Sequence, residues 1–438
     1  MSATISPTDP IRQYLEIAHT QIAKGELKQA AETLNKAQKK SPGDARVFML
    51  AGLMAEKSGN VNGAFEALRK SVALAPDWGP GLLELALLLA RQNQFKEAVE
   101  TAEKVAALEP KNLQVLAGVI DIAHRAGHTE MAVRHLRRGL ELVPGDVALR
   151  RLLARDLSDQ GQHDESLALW SALVDENPAD HQSLTGRVQA LIAAGKPTDA
   201  RANAETLLGL APEDAVYQYY AELARGETPA QQPAELTRPL FDGMAEFYDM
   251  HMVRSLKYQL PKQVADKILA RHPDKKLNVL DLGCGTGLLG VCLGRLDGAL
   301  LGVDLSMKMI EQAARHNVYD RFHTVNLHDA LRDTPEGLFQ AIAALDVFIY
   351  AGDLTEAIPN AYRVLASDGV LIFSCEVADE TGPDLALLPS GRYAHKRSHA
   401  EALCKAAGFD TVEVEDTVLR HENHQPVHGF IVTAHKPA

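Results

Sequence analysis

The sequence predicts a multidomain chain: an all-α solenoid of stacked helical hairpins, followed by an α/β domain on a doubly wound, mostly parallel sheet. Three observations predict it. Prolines recur every 34 residues, at positions 42, 76, 110, 144, 178 and 212. From Leu277 onward, apolar strand-like runs alternate with helical stretches. Between the two, residues 227–237 (ETPAQQPAELT) lose periodicity and gain proline and glutamine, as linkers do. The expected boundaries are therefore 1–226, 227–237 and 238–438.

In the first part, Gly25, Gly59, Gly127, Gly161 and Gly195 keep the 34-residue beat, with Asn93 filling the gap. Ala30, Ala64, Ala98, Ala132, Ser166 and Ala200 keep it too. A small residue where two helices cross, a turn residue between them and a proline after the second match the tetratricopeptide pattern six times, over about 11–212. Such units bury a core only by stacking, and the Tyr-rich stretch Ala215 to Arg225 would cap the stack. On that pattern the inner groove carries Leu15, His19, Met49, Leu53, Leu83, Leu87, Ala117, Asp121, Arg151, Arg155, Thr185 and Gln189. Its early part is apolar and it turns basic at Arg125, Arg151 and Arg155. A peptide with an apolar end and an acidic end would suit it. Equally, the apolar positions could pack on the neighbouring hairpin while the arginines stay solvated. The array could hold substrate, a protein partner or a second copy of the chain.

In the second part, strands are expected at 277–282, 299–304, 321–326, 339–346 and 369–375. A helix near 399–407 should start at a capping box of Ser398 and Glu401, and strands at 410–418 and 428–435 should form an antiparallel edge hairpin. The aromatic segment before the first strand, with Phe241, Phe247, Tyr248 and His251, reads as a lid over a pocket or as core packing.

The stretch LNVLDLGCGTGLLG, from Leu277 to Gly290, joins a buried strand to a glycine-rich turn and a helix. Gly283, Gly285 and Gly287 let the chain turn tightly and let a ligand reach main-chain amides. Asp281 would repel a dinucleotide pyrophosphate but attract a cationic ligand bearing hydroxyls and an ammonium group, such as S-adenosylmethionine. Gly285, Gly287 and Gly290 also satisfy the dinucleotide pattern, which is weak when taken alone. Asp304 ends the next strand, seventeen residues past Gly287, where a carboxylate would hold a ribose diol. Asp281, Asp304, Asn326 and Asp346 all fall at strand ends, where ligands bind in such sheets.

Composition excludes several classes. With 438 residues, 46% apolar, 24% charged and a formal charge of −13, the chain has room for two cores and no basic stripe for nucleic acid. It shows no signal peptide and no apolar run long enough for a membrane span, so the expected compartment is cytoplasmic. Cys284, Cys292, Cys375 and Cys404 lack metal or disulfide spacing. His421, His424 and His428 are the tightest histidine group, and no metal is expected.

The segments DLGCGTG, VDLSMKMIEQA, VYDRFHTVNL, FQAIAALDVFIYAGDL, DGVLIFSCE and PSGRYAHKRSH together resemble class I S-adenosylmethionine-dependent methyltransferases, specifically the tetratricopeptide-containing group. The resemblance implies a Rossmann-like sheet of seven strands in the order 3-2-1-4-5-7-6. It also implies that Asp281, Gly283, Gly285 and Gly287 cradle the methionine and ribose portions of the cofactor. Asp304 and Leu305 would take the ribose, Asn326 and Leu327 the adenine, and Asp346 would complete the cofactor site. Methyl transfer needs alignment and dryness more than acid catalysis, although an amine or hydroxyl acceptor must lose a proton. Candidate catalytic residues are His395, Tyr393 and His251; Arg392 could hold an acidic substrate group, with Tyr248 and Phe241 against the substrate. The acceptor is a protein or peptide brought by the groove, or a small metabolite. An adaptor with a cofactor-sensing, non-catalytic domain is the alternative.

Overall fold

A computed structural model of the chain describes residues 9–246, 248–249, 252–253, 256–422 and 425–438. It forms two compact units that divide between Lys196 and Pro197, each described here by itself.

The first unit is built from paired helices: Arg12–Lys24 with Leu27–Lys40, Ala45–Lys57 with Val61–Leu74, Gly79–Arg91 with Phe95–Leu108, Leu113–Arg125 with Thr129–Leu142, and Val147–Asp159 with His163–Glu176, then His181–Ala193. At each hairpin turn Gly25, Gly59, Gly127, Gly161 or Gly195 adopts φ between 69 and 81°, and Asn93 stands in with φ 58°. These are left-handed C-caps, which asparagine tolerates better than other side-chain-bearing residues. Ala30, Ala64, Ala98 and Ala132 are fully buried at the helix crossings. Ser166 is buried as well, and its Oγ donates to the Ala154 carbonyl at 2.6 Å, which satisfies the extra polar group. A device the period did not announce starts the first helix of several pairs. Asp44, Asn112, Asp146 and Asp180 accept main-chain N–H groups as N-caps.

The basic end of the groove is electrically compensated. Arg125 pairs with Asp121 at 2.9 Å, Arg151 with Asp180 at 2.5 Å and Arg155 with Asp156 at 3.0 Å.

The second unit begins earlier than residue 227, and the helices Arg201–Leu210 and Ala215–Arg225 belong to it. Residues 227–237, expected as a linker, are fastened to the sheet unit. The Ala230 carbonyl accepts from Asp353 N–H at 2.7 Å, Gln232 N–H donates to the Tyr350 carbonyl at 3.3 Å, and the helix Ala234–Met244 starts inside the stretch.

The sheet consists of β1 (Val279–Leu282), β2 (Leu300–Asp304), β3 (Arg321–Thr324), β4 (Phe339–Ala344), β5 (Leu365–Val377), β6 (Leu385–Leu387), β7 (Tyr393–His395), β8 (Thr411–Glu422) and β9 (Gln425–His435). Strands β3-β2-β1-β4-β5 run parallel, β9 lies antiparallel on β5, and β8 on β9. The expected order is therefore met with β9 and β8 as its last two strands. The short hairpin β6–β7, which also pairs with the end of β5, was not foreseen and brings the described sheet to nine strands.

Alternation along the strands feeds two cores. Leu280, Leu282, Ile342, Leu371 and Phe373 enter one, while Val279, Ala341, Ala343, Val370 and Ile372 enter the other. The helix Arg397–Ala407 has no capping box. Ser398 lies within its first turn and donates to Glu380, whose Oε1 accepts Arg397 N–H at 2.9 Å, and Glu401 pairs with Lys405 instead. The cap comes from a distant residue, which local spacing does not reveal. Gln340 accepts Asn278 N–H at 2.8 Å and so ties β4 to the residue before β1.

Candidate active site

The turn after β1 takes three left-handed glycines, Gly283, Gly285 and Gly287, at φ 68, 52 and 87°. A Cβ on Gly283 would lie 2.5 Å from Cγ2 of Val347, so only glycine fits. Asp304, at the end of β2, binds this turn directly. Its Oδ2 accepts Gly285 N–H and its Oδ1 accepts Ser306 N–H, both at 2.8 Å. Burial raises its pKa against those hydrogen bonds. Each oxygen keeps a lone pair for a further donor.

Two side chains of the preceding segment clasp the same region. Ser306 Oγ donates to Asp242 at 2.5 Å, and Thr286 of the glycine turn donates to Asp249. Asn326 N-caps the helix Leu327–Asp333 by accepting His328 N–H at 2.9 Å, which commits one lone pair of its amide oxygen and leaves its NH2 as donor.

These elements surround a cavity that is partly open to solvent. Of the residues expected at the site, Gly283, Gly285, Asp304, Leu305, Asn326, Leu327, Asp346, Tyr248 and Phe241 line it. Asp281 and Gly287 do not. Asp281 is 3% exposed and accepts from the Tyr319 hydroxyl at 2.6 Å, and burial pushes its pKa up to about 7. The same hydroxyl accepts Gly290 N–H at 3.2 Å, so Tyr319 braces strand and helix together.

The proposed catalytic residues need correction. His395 is 1% exposed, its Nε2 lies 2.7 Å from the Gly352 carbonyl, and burial pulls its pKa down to about 4. Tyr393 is fully buried on β7, and neither residue reaches the cavity wall. His251 lies outside the described residues, as does His424. Arg392 also fails as a free substrate clamp: its Nε donates to Glu376 at 2.7 Å and its Nη2 to Glu422 at 2.9 Å. Both partners sit on strands distant in sequence, so the short segment SGRYAH did not disclose them.

Asp346 does line the cavity, with φ 52°. Its N–H donates to Ser374 Oγ at 2.8 Å, and its Oδ2 accepts from Arg420 at 2.9 Å. Lining residues not foreseen include His328, Val347, Tyr350, Met309, Gln231 and Gln232. His328 stands two residues past Asn326 on the same turn, a position visible in the sequence. Burial lowers its pKa against a hydrogen bond with the Ala351 backbone. Phe241 and Tyr350 meet edge to face, with ring centroids 5.0 Å apart. The glutamines came from the stretch taken for a linker.

The donor set fits S-adenosylmethionine on structural grounds. A side-chain-free turn at Gly283 and Gly285 gives backbone access, Asp304 keeps acceptor capacity for a diol, and Leu305, Met309, Val325 and Leu327 make an apolar slot beside Asn326 for a purine. Among the described residues, no three His, Cys, Asp or Glu side chains group as a metal site, and no helix is long and apolar enough to cross a membrane.

Both parts of the chain resemble known proteins. A methyltransferase-domain family model matches residues 280–373, and a tetratricopeptide repeat model matches 15–77, 83–147 and 151–222. The mitochondrial ubiquinone biosynthesis O-methyltransferase of Bos taurus is 30% identical over 145 residues, 31% of this chain and 39% of that protein. The ubiquinone biosynthesis O-methyltransferase of Shewanella pealeana is 22% identical over 216 residues, 44% of this chain and 89% of that protein. The chain spans only about two fifths of the length of the first curated relatives it matches. Among solved structures, Burkholderia thailandensis 1,6-didemethyltoxoflavin-N1-methyltransferase with bound S-adenosylhomocysteine is 20% identical, covers 48% of this chain and 93% of its own, and has a TM-score of 0.37. A tetratricopeptide repeat protein from Parabacteroides merdae is 20% identical, covers 53% and 90%, and has a TM-score of 0.39. The chain thus carries tetratricopeptide repeats followed by a methyltransferase domain, with S-adenosylmethionine as its cofactor.

Proposed function

We propose that the second unit transfers the methyl group of S-adenosylmethionine to a small acceptor held in the cavity lined by Gln231, Phe241 and Tyr248, and that the repeat array serves recruitment or assembly. The observation that carries this reading is the composition of the cavity wall. One part offers Gly283, Gly285, Asp304 and Asn326 to the cofactor, while Phe241, Tyr248 and Tyr350 leave an aromatic part for a second, planar molecule. The relatives named O-methyltransferases favour an oxygen acceptor.

The cofactor supplies an electrophilic methyl group on a positively charged sulfur. The chain supplies position and dryness. Asp304 and the glycine turn fix one partner, the aromatic residues fix the other, and the clasps of Asp242 and Asp249 hold the segment over both. His328 is neutral near pH 7 because burial lowers its pKa, so its ring can accept the proton a hydroxyl gives up.

The test is transfer of labelled methyl by the full chain to hydroxylated aromatic molecules, set beside peptides. Labelled small molecules, with incorporation reduced in His328→Ala, support the reading. Label only in peptides, lost when Leu53 and Leu87 of the groove are replaced by Glu, moves the acceptor to the array. Cofactor binding without any transfer favours the adaptor reading.

A further inference from the structure

A cluster of five charged side chains stands behind the cavity wall. Arg420 reaches three carboxylates: Asp346 at 2.9 Å, Glu422 at 2.8 Å, and Glu376. Arg392 reaches Glu376 at 2.7 Å and Glu422 at 2.9 Å. Only Asp346 of the five lines the cavity. An arginine in an edge strand ordinarily points to solvent.

Here the strand is built otherwise. Val418 pairs with His428 and Arg420 with Val427, so β8 carries an extra residue, Leu419. Leu419 is 1% exposed and Arg420 is 4% exposed, which breaks the in-and-out alternation of the strand. A bulge of this kind re-aims a side chain, and this one turns Arg420 inward. Asp346 is constrained from its own side by a left-handed backbone, which aspartate adopts more readily than most residues, and by Ser374. Two independent distortions thus converge on one ion pair at the cavity wall.

The cluster also has a charge left over. Among the described residues it holds three carboxylates and two guanidinium groups, an excess of one negative charge, with Asp346, Glu376 and Arg420 buried and Glu422 partly open to solvent. A ligand cation next to Asp346 would balance it. The amino-acid end of the cofactor carries an ammonium group, and Val347, the neighbour of Asp346, is the residue that abuts Gly283 of the cradle.

We propose that Arg420 is a positioning residue that keeps the Asp346 carboxylate ionised and directed into the cavity, where it binds the ammonium group of the cofactor. The proposal rests on the methyltransferase reading above. Around Asp346 stand Arg420 on β8, Glu376, Ser374 and Cys375 on β5, Tyr350 after β4, and Tyr248 and Tyr258 from the segment before β1. Of these, Arg420 is the cation. Burial raises the pKa of Asp346 and Arg420 opposes it, so removing the guanidinium lets the carboxyl take up a proton nearer neutrality. Ammonium binding is then present above the raised pKa and lost as pH falls through it.

The experiment is calorimetric binding of S-adenosylhomocysteine and of 5′-methylthioadenosine, which lacks the amino-acid end, to the full chain between pH 5.5 and 8.5. In Arg420→Met, S-adenosylhomocysteine affinity should fall by about 10- to 100-fold at the acid end and recover toward alkaline pH, with 5′-methylthioadenosine unchanged. Arg420→Lys should restore most of the loss, and Asp346→Asn should be weak at every pH. Equal losses for both ligands, or an unchanged affinity in a less stable protein, overturn the inference. Should the unsubstituted chain bind neither ligand, the methyltransferase reading itself fails, a result distinct from tight binding that ignores Arg420.

Discussion

Left-handed glycines serve the two units differently. In the repeat array, nothing lies within 4 Å of a Cβ placed on Gly25, Gly59, Gly127, Gly161 or Gly195, and Asn93 occupies the equivalent turn. There the backbone angle alone is required. At Gly283 the backbone is left-handed as well, but Val347 occupies the space a side chain would need. A turn that only ends a helix tolerates variation, whereas a turn that lets a ligand and a neighbouring loop approach the main chain does not.

The sharpest way to break this comparison is Gly283→Ala. It combines left-handed strain of about 1–2 kcal/mol with a clash of about 1–3 kcal/mol, and it should reduce S-adenosylhomocysteine affinity along with thermal stability. An alanine variant that binds normally would show that Val347 can move aside. Gly186→Ala tests crowding without backbone strain, because its Cβ would meet the Trp170 ring at 2.4 Å. Urea denaturation should show a loss of about 1–3 kcal/mol from the array, with cofactor binding intact. Glu380→Ala removes the distant cap of the helix Arg397–Ala407 and should lower the thermal midpoint slightly, with cofactor binding intact. The smallest effect belongs to Gly127→Asn, which should change stability by under about 1 kcal/mol because Asn93 already serves in that setting. A larger loss there would mean that the open turns are less permissive than their surroundings suggest.

A pH prediction separates the units too. Asp281 has its pKa raised from the ordinary carboxylate range to about 7, so the folded chain holds a proton that the unfolded chain releases. Its contribution to stability therefore falls as pH rises from about 4 to about 7. Asp281→Asn should flatten that slope in thermal denaturation of the ligand-free protein, while substitutions confined to the array should leave it in place.

Much of this was legible in the sequence because it is local or periodic. The 34-residue spacing wrote the helix pairs, the crossing alanines and the turns, and Gly283, Gly285, Asp304 and Asn326 marked one part of the cavity wall. What escaped depends on partners far apart in the chain. Arg392 looked available until Glu376 and Glu422 closed on it, and His395 looked catalytic until burial on β7 removed it from the wall. The false capping box at Ser398 and the apparent linker at 227–237 failed for the same reason. Glu380 in one case, and Asp353 and Tyr350 in the other, supply contacts that no short window contains.

The most direct test of the central claim is thermal denaturation of the full chain with S-adenosylmethionine, S-adenosylhomocysteine or NAD, beside Asp304→Ala. The account predicts stabilisation by the two adenosyl compounds only, lost in the variant. No shift, or a shift with NAD alone, would contradict it.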